Sequence, residues 1–596
     1  MSLKVRGQIR RSQVVTTYGP GALIDLPYYS AIVGGIDDWL SAGSKEIVEP
    51  RLSRKLQLMT GVEAPRLYAP PGATSDPFET PKGIGAWRFP EWFVVQEVDG
   101  KEDRERSRRL VHRKALDKGR FEKLLVVPTR FVRACPKGHV DDIDWRRYAH
   151  SGGEAGCHRQ LWLDERGTGG DLSDLVVRCE CGKARGLYEA SLIENNPLEN
   201  CPGLLLWLGK GYSDACNLPS RLLIRTASNA YFPHVVSVLS LPDHGTVVET
   251  AVRELWSDLQ IVEDAAGLAL LKKKPQVAAK LGPFADADVL KAIGEVRSGQ
   301  AGERSVKQVE LDALLAAPEG FGDDVPVDPN FHARRLPDSV WRHTQHCAGI
   351  QAVIQVHRLR EILALIGFTR FEAFTPDING EYETDVERAQ IARNPQWFPA
   401  VENRGEGIFI QIRADALRSW GARAAVSERI DQLSLGHKLW AADRKTKRLF
   451  PGGPYVLMHT LSHLLIQSLS MRCGYPASSI RERIYADTEL ERFGILLFTG
   501  SPDAEGTLGG LVQEARNIED HLLRALQMAA LCSNDPICSG HNAGRSMEKR
   551  WLHGAACHGC ALVAETSCEL RNDYLDRALV VPILGVSDAA FFAEHR

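Results

Sequence analysis

The most regular hydrophobic pattern in the chain spans residues 454–475. Leucines recur there at spacings of three and four residues, at Leu457, Leu461, Leu464, Leu465 and Leu469. This period places them on one face of a helix. Pro454 suits a first helical turn, and Gly474 suits the end, where glycine accepts a left-handed backbone. The pattern therefore predicts a core helix.

Shorter patterns predict the remaining elements. Apolar runs bounded by turn residues indicate strands at 22–26, 124–134, 234–242, 407–412 and 494–500. Helical spacing of apolar positions, with scattered charge pairs, indicates helices at 247–315, 350–368, 478–484 and 511–531. The mixed order of helices and strands predicts an α+β fold but leaves the sheet topology open.

The length of 596 residues exceeds what one hydrophobic core supports, so a multidomain protein is expected. We predict an N-terminal domain, a cysteine-rich zinc-binding module, a mainly helical middle region and a C-terminal domain, at 1–123, 124–245, 246–350 and 351–596. The composition, 44% hydrophobic and 25% charged, argues against a fibre or wholesale disorder. Because the sequence lacks a membrane-length apolar run and a signal-peptide pattern, we expect a cytoplasmic protein without membrane association.

The charge distribution limits how the chain could contact nucleic acid. A formal net charge of -3 excludes a uniformly basic surface. The strongest local basic segment is 101–123, where ten Lys or Arg meet five Asp or Glu. A solvated surface face is favoured for this segment over a DNA track. The candidate phosphate contacts are Arg108, Arg109, Arg113 and Lys114.

Cysteines carry the strongest chemical signal. The chain has 13 cysteines, and in a reducing compartment their close spacing favours metal ligation over disulfides. Near the C-terminus, the two residues between Cys557 and Cys560 let both sulfurs reach one ion, and Cys532 and Cys538 can complete a tetrahedral zinc site. Cys568 follows as a fifth sulfur for four places, so the ligand set stays open.

A second concentration of cysteines lies between residues 135 and 216, where six occur within 82 residues. We expect one zinc ion to be held by Cys179, Cys181, Cys201 and Cys216. A second, incomplete site would contain Cys135, His139 and Cys157, and either His150 or His158 could finish it. Together the two concentrations predict loop-rich modules that are braced by zinc.

The sequence carries no recognisable catalytic motif. It lacks the phosphate-binding pattern of P-loop ATPases, and the turn at 19–21 and the glycine-rich loop at 501–510 are expected to serve packing. His459 and His463 have the spacing of zinc peptidases, but Thr460 replaces the general base, so a packing role is expected. A metal-dependent nuclease stays as the alternative, with carboxylates from Asp141, Asp142, Asp144, Asp503 and Glu505.

Several longer motifs occur in a characteristic order. The C-terminal 140 residues or so contain HTLSHLLIQSLSMRCGYPASSIRERIY, GILLFTGSPDAEGTLGGLV, CSNDPIC and AACHGCALVAETSCELRNDYLDR. This order resembles a zinc-bearing domain of unknown function that is found beside or fused to DNA helicases. RRSQVVTTYGPGALIDLP, CPKGHVDDIDW, LWLDERGTGGDL and TASNAYFP occur nearer the N-terminus. With these motifs, most of the chain resembles the DrmB family of the DISARM anti-phage defence systems.

The resemblance implies a bacterial antiviral defence component that forms a complex with a large helicase-like ATPase, DrmA. That complex engages DNA alongside a methyltransferase and a phospholipase-D-like partner. The resemblance also implies zinc ligation by the C-terminal cysteines named above and by Cys179, Cys181, Cys201 and Cys216. It supplies no catalytic residue. The sequence therefore predicts a non-catalytic zinc-binding subunit of a hetero-oligomer.

Overall fold

A computed structural model gives the architecture. It describes residues 9–26, 29–40, 44–72, 83–96, 106–117, 119–153, 156–166, 171–241, 248, 251–252, 254–282, 284–297, 305–321, 328–373, 376–377, 387–500, 510–545 and 549–592. The chain divides into two compact units. The first unit comprises Met1–Ser237, Ile362–Phe374 and Thr384–Glu402. The second unit comprises Val238–Glu361, Thr375–Glu383 and Asn403–Arg596. The four-domain division stays a prediction.

The first unit is built mainly from antiparallel strands. Its largest sheet has six strands in the order Ala184–Gly186, Leu175–Cys179, Leu161–Glu165, Arg106–His112, Trp92–Val95 and Val126–Pro128. A three-stranded sheet contains Leu23–Leu26, Tyr29–Val33 and Ala86–Arg88, and another contains Val140–Asp141, Phe131–Ala134 and Arg221–Ile224. Short strands also occur at Trp39–Leu40, Gly83–Ile84 and Arg66–Tyr68. These short strands leave long connections, and the cysteines lie in several of them.

In the part of the first unit that the structure describes, the α-helices span Arg11–Thr16, Pro50–Thr60 and Trp145–Ala149. The last of these packs against the largest sheet, where Trp145 and Tyr148 join a buried core with Leu161, Leu175 and Val177. The predicted turn at 19–21 is confirmed, since Gly21 has a φ of 83° directly before the strand Leu23–Leu26.

The second unit holds most of a seven-stranded sheet. The main strand order is Phe232–Ser240, Ile350–Thr369, Trp397–Ile412, Arg492–Thr499 and Ile480–Asp487, and Phe331–Arg335 pairs with the second of these. The three longest of these strands, Phe232–Ser240, Ile350–Thr369 and Trp397–Ile412, each contain residues of both units. The strands predicted at 234–242, 407–412 and 494–500 are therefore confirmed.

Helices of the second unit fall into two groups. A group between the first two long strands comprises Trp256–Leu259, Ala265–Leu271, Pro275–Leu281, Asp286–Arg297, Val306–Leu315 and Asp338–Trp341. The later group comprises Ala414–Gly421, Ala424–Arg444, Gly453–Cys473, Gly510–Gln513 and Ile518–Ala530. Helical structure predicted for 247–315 and 511–531 is thus confirmed in the described parts of those ranges, as several shorter helices.

The helix Gly453–Cys473, termed here the core helix, confirms the strongest sequence prediction. Pro454 lies in its first turn, and Gly474 caps its end with a φ of 73°. The five patterned leucines are all buried. The helix is not merely amphipathic, because 15 of its 21 residues are buried against the sheet and the neighbouring helices. It is the centre of the second unit's core.

Two predicted helices are wrong. Residues 350–368 lie in the strand Ile350–Thr369, and residues 478–484 lie largely in the strand Ile480–Asp487. The first strand is buried on both faces, so its sequence lacks the alternation of a half-exposed strand. The second carries charged side chains, Glu482 and Arg483, that are buried in polar contacts rather than solvated. Among the described residues, none of the helices has the length and apolar character that crossing a membrane requires.

Candidate metal centres

Three groups of four cysteine or histidine side chains converge in the structure. In each group the four donor atoms lie within 4.8 Å of one another. The first cluster contains Cys135, His139, Cys201 and Cys216. The second cluster contains His150, Cys157, Cys179 and Cys181. The third cluster contains Cys532, Cys538, Cys557 and Cys560. The first two belong to the first unit, and the third belongs to the second unit.

In the first cluster, a tight turn after the strand Phe131–Ala134 presents Cys135 and His139. Gly138 adopts a φ of 94°, which lets its N–H donate to the Cys135 carbonyl at 3.0 Å and closes the turn. The Cys135 sulfur then lies 3.3 Å from His139 Nδ1 and 3.9 Å from the Cys216 sulfur. The residues after the strand thus place two donors directly beside a third.

Hydrogen bonds around the first cluster orient its donors. His139 Nε2 lies 2.9 Å from Asp214 Oδ1, so a proton on Nε2 leaves Nδ1 free to face the cluster. The Gly203 N–H donates to the Cys201 sulfur at 3.4 Å. A hydrogen bond from the Cys135 thiol lowers the pKa of Cys201 to about 4. This shift favours the thiolate form of one sulfur, which is the form that binds metal.

In the second cluster, a hairpin presents two sulfurs. Cys179 ends the strand Leu175–Cys179, and Cys181 lies in the following turn, which the Gly182 N–H closes by donating to the Cys179 carbonyl at 2.9 Å. The sulfurs of Cys157 and Cys179 lie 3.6 Å apart. His150 caps the helix Trp145–Ala149, and its Nε2 lies 3.2 Å from the Cys181 sulfur. The cluster therefore joins a helix end, a loop and a hairpin.

The third cluster joins the end of a helix to the CHGC turn. Cys532 follows the helix Ile518–Ala530, and its sulfur lies 3.5 Å from that of Cys557. The Cys560 sulfur lies 3.8 Å from Cys538 and 3.7 Å from Cys557. A hydrogen bond from Cys560 lowers the pKa of Cys538 to about 5, with a smaller contribution from the Arg577 guanidinium. The two cysteine pairs predicted from sequence spacing, Cys532 with Cys538 and Cys557 with Cys560, therefore converge in one cluster.

The sulfur separations fit zinc. A tetrahedral ion with Zn–S bonds near 2.3 Å places its sulfurs about 3.8 Å apart. The sulfur pairs measured in the three clusters lie between 3.5 and 3.9 Å apart, far beyond the length of a disulfide. Nitrogen and sulfur are also the donors that zinc prefers over calcium and magnesium. Residue type and geometry thus both indicate zinc.

The partition expected for the six N-terminal cysteines differs from the one observed. Cys201 and Cys216 pair with Cys135 and His139, whereas Cys179 and Cys181 pair with Cys157 and His150. The physical reason is sheet geometry. Cys179 ends a strand of the six-stranded sheet, while Cys135 follows a strand of a three-stranded sheet beside Arg221–Ile224. His150, one of two histidines considered from sequence, completes the second cluster.

Cys568 lies outside the third cluster. Its sulfur is 3.1 Å from His459 Nε2, on the core helix. His459 and His463 were expected to serve packing alone, yet the structure places both beside Cys568 and Glu482. Sequence reasoning missed Glu482 because the segment around it was predicted to be a helix, whereas Glu482 lies on the strand Ile480–Asp487. The spacing of the two histidines was the one available signal.

Three of the acidic residues considered for a nuclease, Asp141, Asp142 and Asp144, have structural contacts. Asp141 pairs with Arg133 at 2.6 Å, and Asp144 caps the helix Trp145–Ala149 by accepting two backbone N–H groups. Asp142 accepts the Glu91 N–H at 2.9 Å, and its burial raises its pKa to about 7. Asp503 and Glu505, with the rest of the glycine-rich loop at 501–509, lie outside the described residues.

The basic side chains considered for DNA contact are largely paired within the fold. Arg108 meets Glu165 at 2.6 Å, Arg109 meets Glu122 at 2.8 Å and Arg113 meets Glu91 at 2.7 Å. Lys114 is exposed. The strand Arg106–His112 therefore offers less net positive charge to a phosphate backbone than its sequence indicates.

These features define a class of protein, namely a multidomain α+β protein whose loops converge on cysteine and histidine clusters suited to zinc. Comparison with known proteins identifies the family. Residues 10–232 match a domain of unknown function, DUF8724, and residues 461–561 match the MrfA Zn-binding domain. The DISARM protein DrmB of Bacillus paralicheniformis is 32% identical over 482 residues, which cover 78% of this chain and 82% of that protein.

The chain belongs to the DrmB family of DISARM proteins. The match to the MrfA Zn-binding domain includes all four cysteines of the third cluster. Family membership and cluster geometry therefore agree that zinc is the cofactor of this chain.

Proposed function

We propose that this chain is a non-catalytic, zinc-bearing subunit of a bacterial anti-phage defence complex. In that complex it binds a helicase-like ATPase in the cytoplasm and helps the ATPase to engage DNA. Membership of the DrmB family supports a role in DISARM defence. The match to the MrfA Zn-binding domain supports the zinc-bearing part. The helicase partner and the contact with DNA rest on the resemblance of the sequence motifs.

The observation that carries the non-catalytic proposal is the number of protein donors in each cluster. Structural zinc sites are closed by four protein ligands, whereas catalytic zinc keeps one position open for water or substrate. Each of the three clusters supplies four cysteine or histidine donors. An ion held by four such donors has no position for a reacting water. We therefore assign these ions to folding and surface shape.

The nuclease alternative receives less support from the described residues. A nuclease site needs carboxylates that converge on an ion and stay accessible to a phosphate. Asp141 and Asp144 are instead engaged by an arginine and a helix N-terminus, and Asp142 accepts a backbone N–H. These contacts give the acidic residues at 141–144 a structural role. The proposed role in DNA engagement therefore belongs to the assembled complex.

The partner proposal is tested by reconstitution. The chain is co-expressed with a tagged helicase-like ATPase from the same defence system, and the complex is isolated through that tag. We expect the wild-type chain to co-purify and a Cys557→Ser, Cys560→Ser variant to be lost from the complex. Cys473→Ser is the matched control, because Cys473 lies outside the clusters and donates to the Leu469 carbonyl at 2.9 Å, a bond that a serine hydroxyl can also make. Absence of the wild-type chain from the complex contradicts the proposal.

The contribution to DNA binding is measured in the same complex. Affinity for duplex DNA is determined over a range of salt concentrations, with and without this chain. We expect the chain to raise the affinity and to steepen the salt dependence. Lys114→Gln is the sharpest single probe of the basic segment 106–114, because Lys114 is exposed. Loss of one phosphate contact would lower the slope by about 0.9. An unchanged slope assigns Lys114 to the solvated surface.

A further inference from the structure

A fourth group of donors lies inside the second unit. His459 and His463 are one turn apart on the core helix, Glu482 lies on the strand Ile480–Asp487, and Cys568 lies in the loop beyond the third cluster. Their four donor atoms lie within 4.8 Å of one another. His459 Nε2 is 2.9 Å from Glu482 Oε1 and 3.1 Å from the Cys568 sulfur. His463 Nε2 is 3.3 Å from the same carboxylate oxygen.

All four side chains are removed from water. Both histidines are 0% exposed, Glu482 is 4% exposed and Cys568 is 7% exposed. A buried carboxylate and a buried thiol carry a large free-energy penalty in their charged forms unless a cation lies beside them. Convergence of four such groups in a packed core therefore needs a physical explanation.

The hydrogen bonds of His463 point to a ligand at its other nitrogen. His463 Nδ1 lies 2.8 Å from the Ala561 carbonyl, which can only accept, so Nδ1 carries a proton. In the neutral imidazole, Nε2 then presents a lone pair. That lone pair faces Glu482 Oε1, which also accepts. Two acceptors at 3.3 Å repel each other unless a proton or a metal ion lies between them.

Glu482 and Cys568 have the neighbours expected around metal ligands. The Glu569 N–H donates to Glu482 Oε1 at 3.2 Å, and the Ser462 hydroxyl donates to the other carboxylate oxygen. The Asn572 N–H donates to the Cys568 sulfur at 3.1 Å. Backbone and hydroxyl donors of this kind orient ligating carboxylates and stabilise thiolates, as groups around a metal commonly do.

We propose that His459, His463, Glu482 and Cys568 bind a fourth divalent transition-metal ion, zinc by its donor chemistry. One ion satisfies the His463 lone pair, His459 Nε2, the carboxylate and the thiolate together. Imidazole, thiolate and carboxylate are all zinc ligands, and four of them close a tetrahedral site. Because the site is closed and buried, the ion is structural. It fastens the C-terminal loop to the core helix and the sheet.

This centre differs from the third cluster in position and in ligand set. The match to the MrfA Zn-binding domain spans residues 461–561, so it excludes both His459 and Cys568. The two centres are nevertheless close in space, since His463 bonds to the carbonyl of Ala561, the residue after Cys560. Metal at one centre therefore helps to order the segment that supplies ligands to the other. The proposal does not depend on the helicase partner or on defence activity.

The wild-type protein allows a direct test. Crystals of the purified chain are measured just above and just below the zinc absorption edge, and the anomalous differences locate each ion. We expect four peaks, one of them enclosed by His459, His463, Glu482 and Cys568. Peaks at the three other clusters with none at this position overturn the proposal. In that case a proton, rather than a metal ion, lies between the histidines and Glu482.

A variant in solution supplies an independent measurement. His463→Ala is purified without chelator, and its zinc content is compared with that of the wild type by elemental analysis. We expect a loss of one ion per chain. His521→Ala is the matched control, since His521 is a buried helical histidine that bonds to Ser468 and Glu514 outside the clusters. An unchanged zinc content in His463→Ala contradicts the proposal. If this variant fails to fold, the crystallographic measurement decides.

Discussion

Asp142, a half-buried residue with one buried carboxyl oxygen, shows how a single carboxyl couples stability to pH. Burial raises its pKa from 3.8 to about 7, so the folded protein binds a proton there that the unfolded chain has released. Stability contributed by this group is therefore present at low pH and is lost as the pH rises towards 7. The full shift corresponds to at most about 4 kcal/mol.

We predict that Asp142→Asn removes this dependence, since the asparagine carbonyl can still accept the Glu91 N–H. The melting temperature of the wild type should fall more than that of the variant between pH 5 and pH 8. Parallel melting curves over this range would show that Asp142 is not buried in its protonated form.

The cysteines of the third cluster carry the strongest prediction at this scale. Zinc binding to zinc-finger peptides is worth roughly 10 kcal/mol, which is comparable to the whole stability of an ordinary domain. We expect Cys557→Ser, Cys560→Ser to lose the ion and to unfold the C-terminal region. Circular dichroism and limited proteolysis measure this directly. Wild-type thermal stability in the double variant would contradict a structural role for this zinc.

Residue identity and spacing predict which residues are candidate ligands better than they predict how those ligands group into clusters. The third cluster follows from two residues between Cys557 and Cys560 and from the pair before them. Spacing could not assign Cys201 to Cys135 rather than to Cys179, because that choice depends on which strands form a sheet. Nor could it find Glu482, whose role depends on its burial beside a distant helix.

At the scale of elements, the helix Ala424–Arg444 illustrates close backbone packing. A Cβ on Gly436 would lie 2.2 Å from the Trp551 carbonyl oxygen and 2.6 Å from the Ala543 side chain. Trp551 and Ala543 belong to the segment that joins Cys538 to Cys557 in the third cluster. Gly436 thus lets the helix approach the loop that spans the zinc ligands.

We predict that Gly436→Ala destabilises the second unit by about 1 to 3 kcal/mol, the usual cost of forcing extra volume into a packed interior. Gly421→Ala is the control, because a Cβ there meets nothing within 4 Å. Chemical denaturation of both variants provides the comparison. Equal stability of the two would show that the helix and the loop do not pack as described.

Element type was predictable where the apolar pattern is long and periodic, or where an apolar run is short and bounded by turn residues. The core helix follows from its apolar spacing, and the strand Arg492–Thr499, although buried on both faces, follows from a short apolar run that ends at a loop. The strand Ile350–Thr369 was not predictable, because burial of both faces removes the two-residue alternation and its 20 residues have the length of a helix. The strand Ile480–Asp487 was not predictable either. Its charges resemble those of a solvated helix, whereas Arg483 is buried with Glu310 and Glu361.

At the scale of the whole molecule, we expect the stability of both units to depend on bound zinc. Two clusters belong to the first unit and one to the second. We predict that a strong chelator lowers the thermal stability of both units and that added zinc restores it, whereas added magnesium does not. Hydrogen exchange in 131–225 and 530–580 would report the two regions separately. Unchanged exchange after complete zinc removal would contradict metal-coupled folding.

The account of the whole molecule as a zinc-braced, non-catalytic subunit is tested most directly by one measurement. Zinc is quantified in the purified chain by elemental analysis, and the same sample is assayed for ATP hydrolysis and DNA cleavage, alone and with its helicase-like partner. We predict at least three zinc ions per chain and activity only when the partner is present. Metal-dependent DNA cleavage by the chain alone would contradict the account.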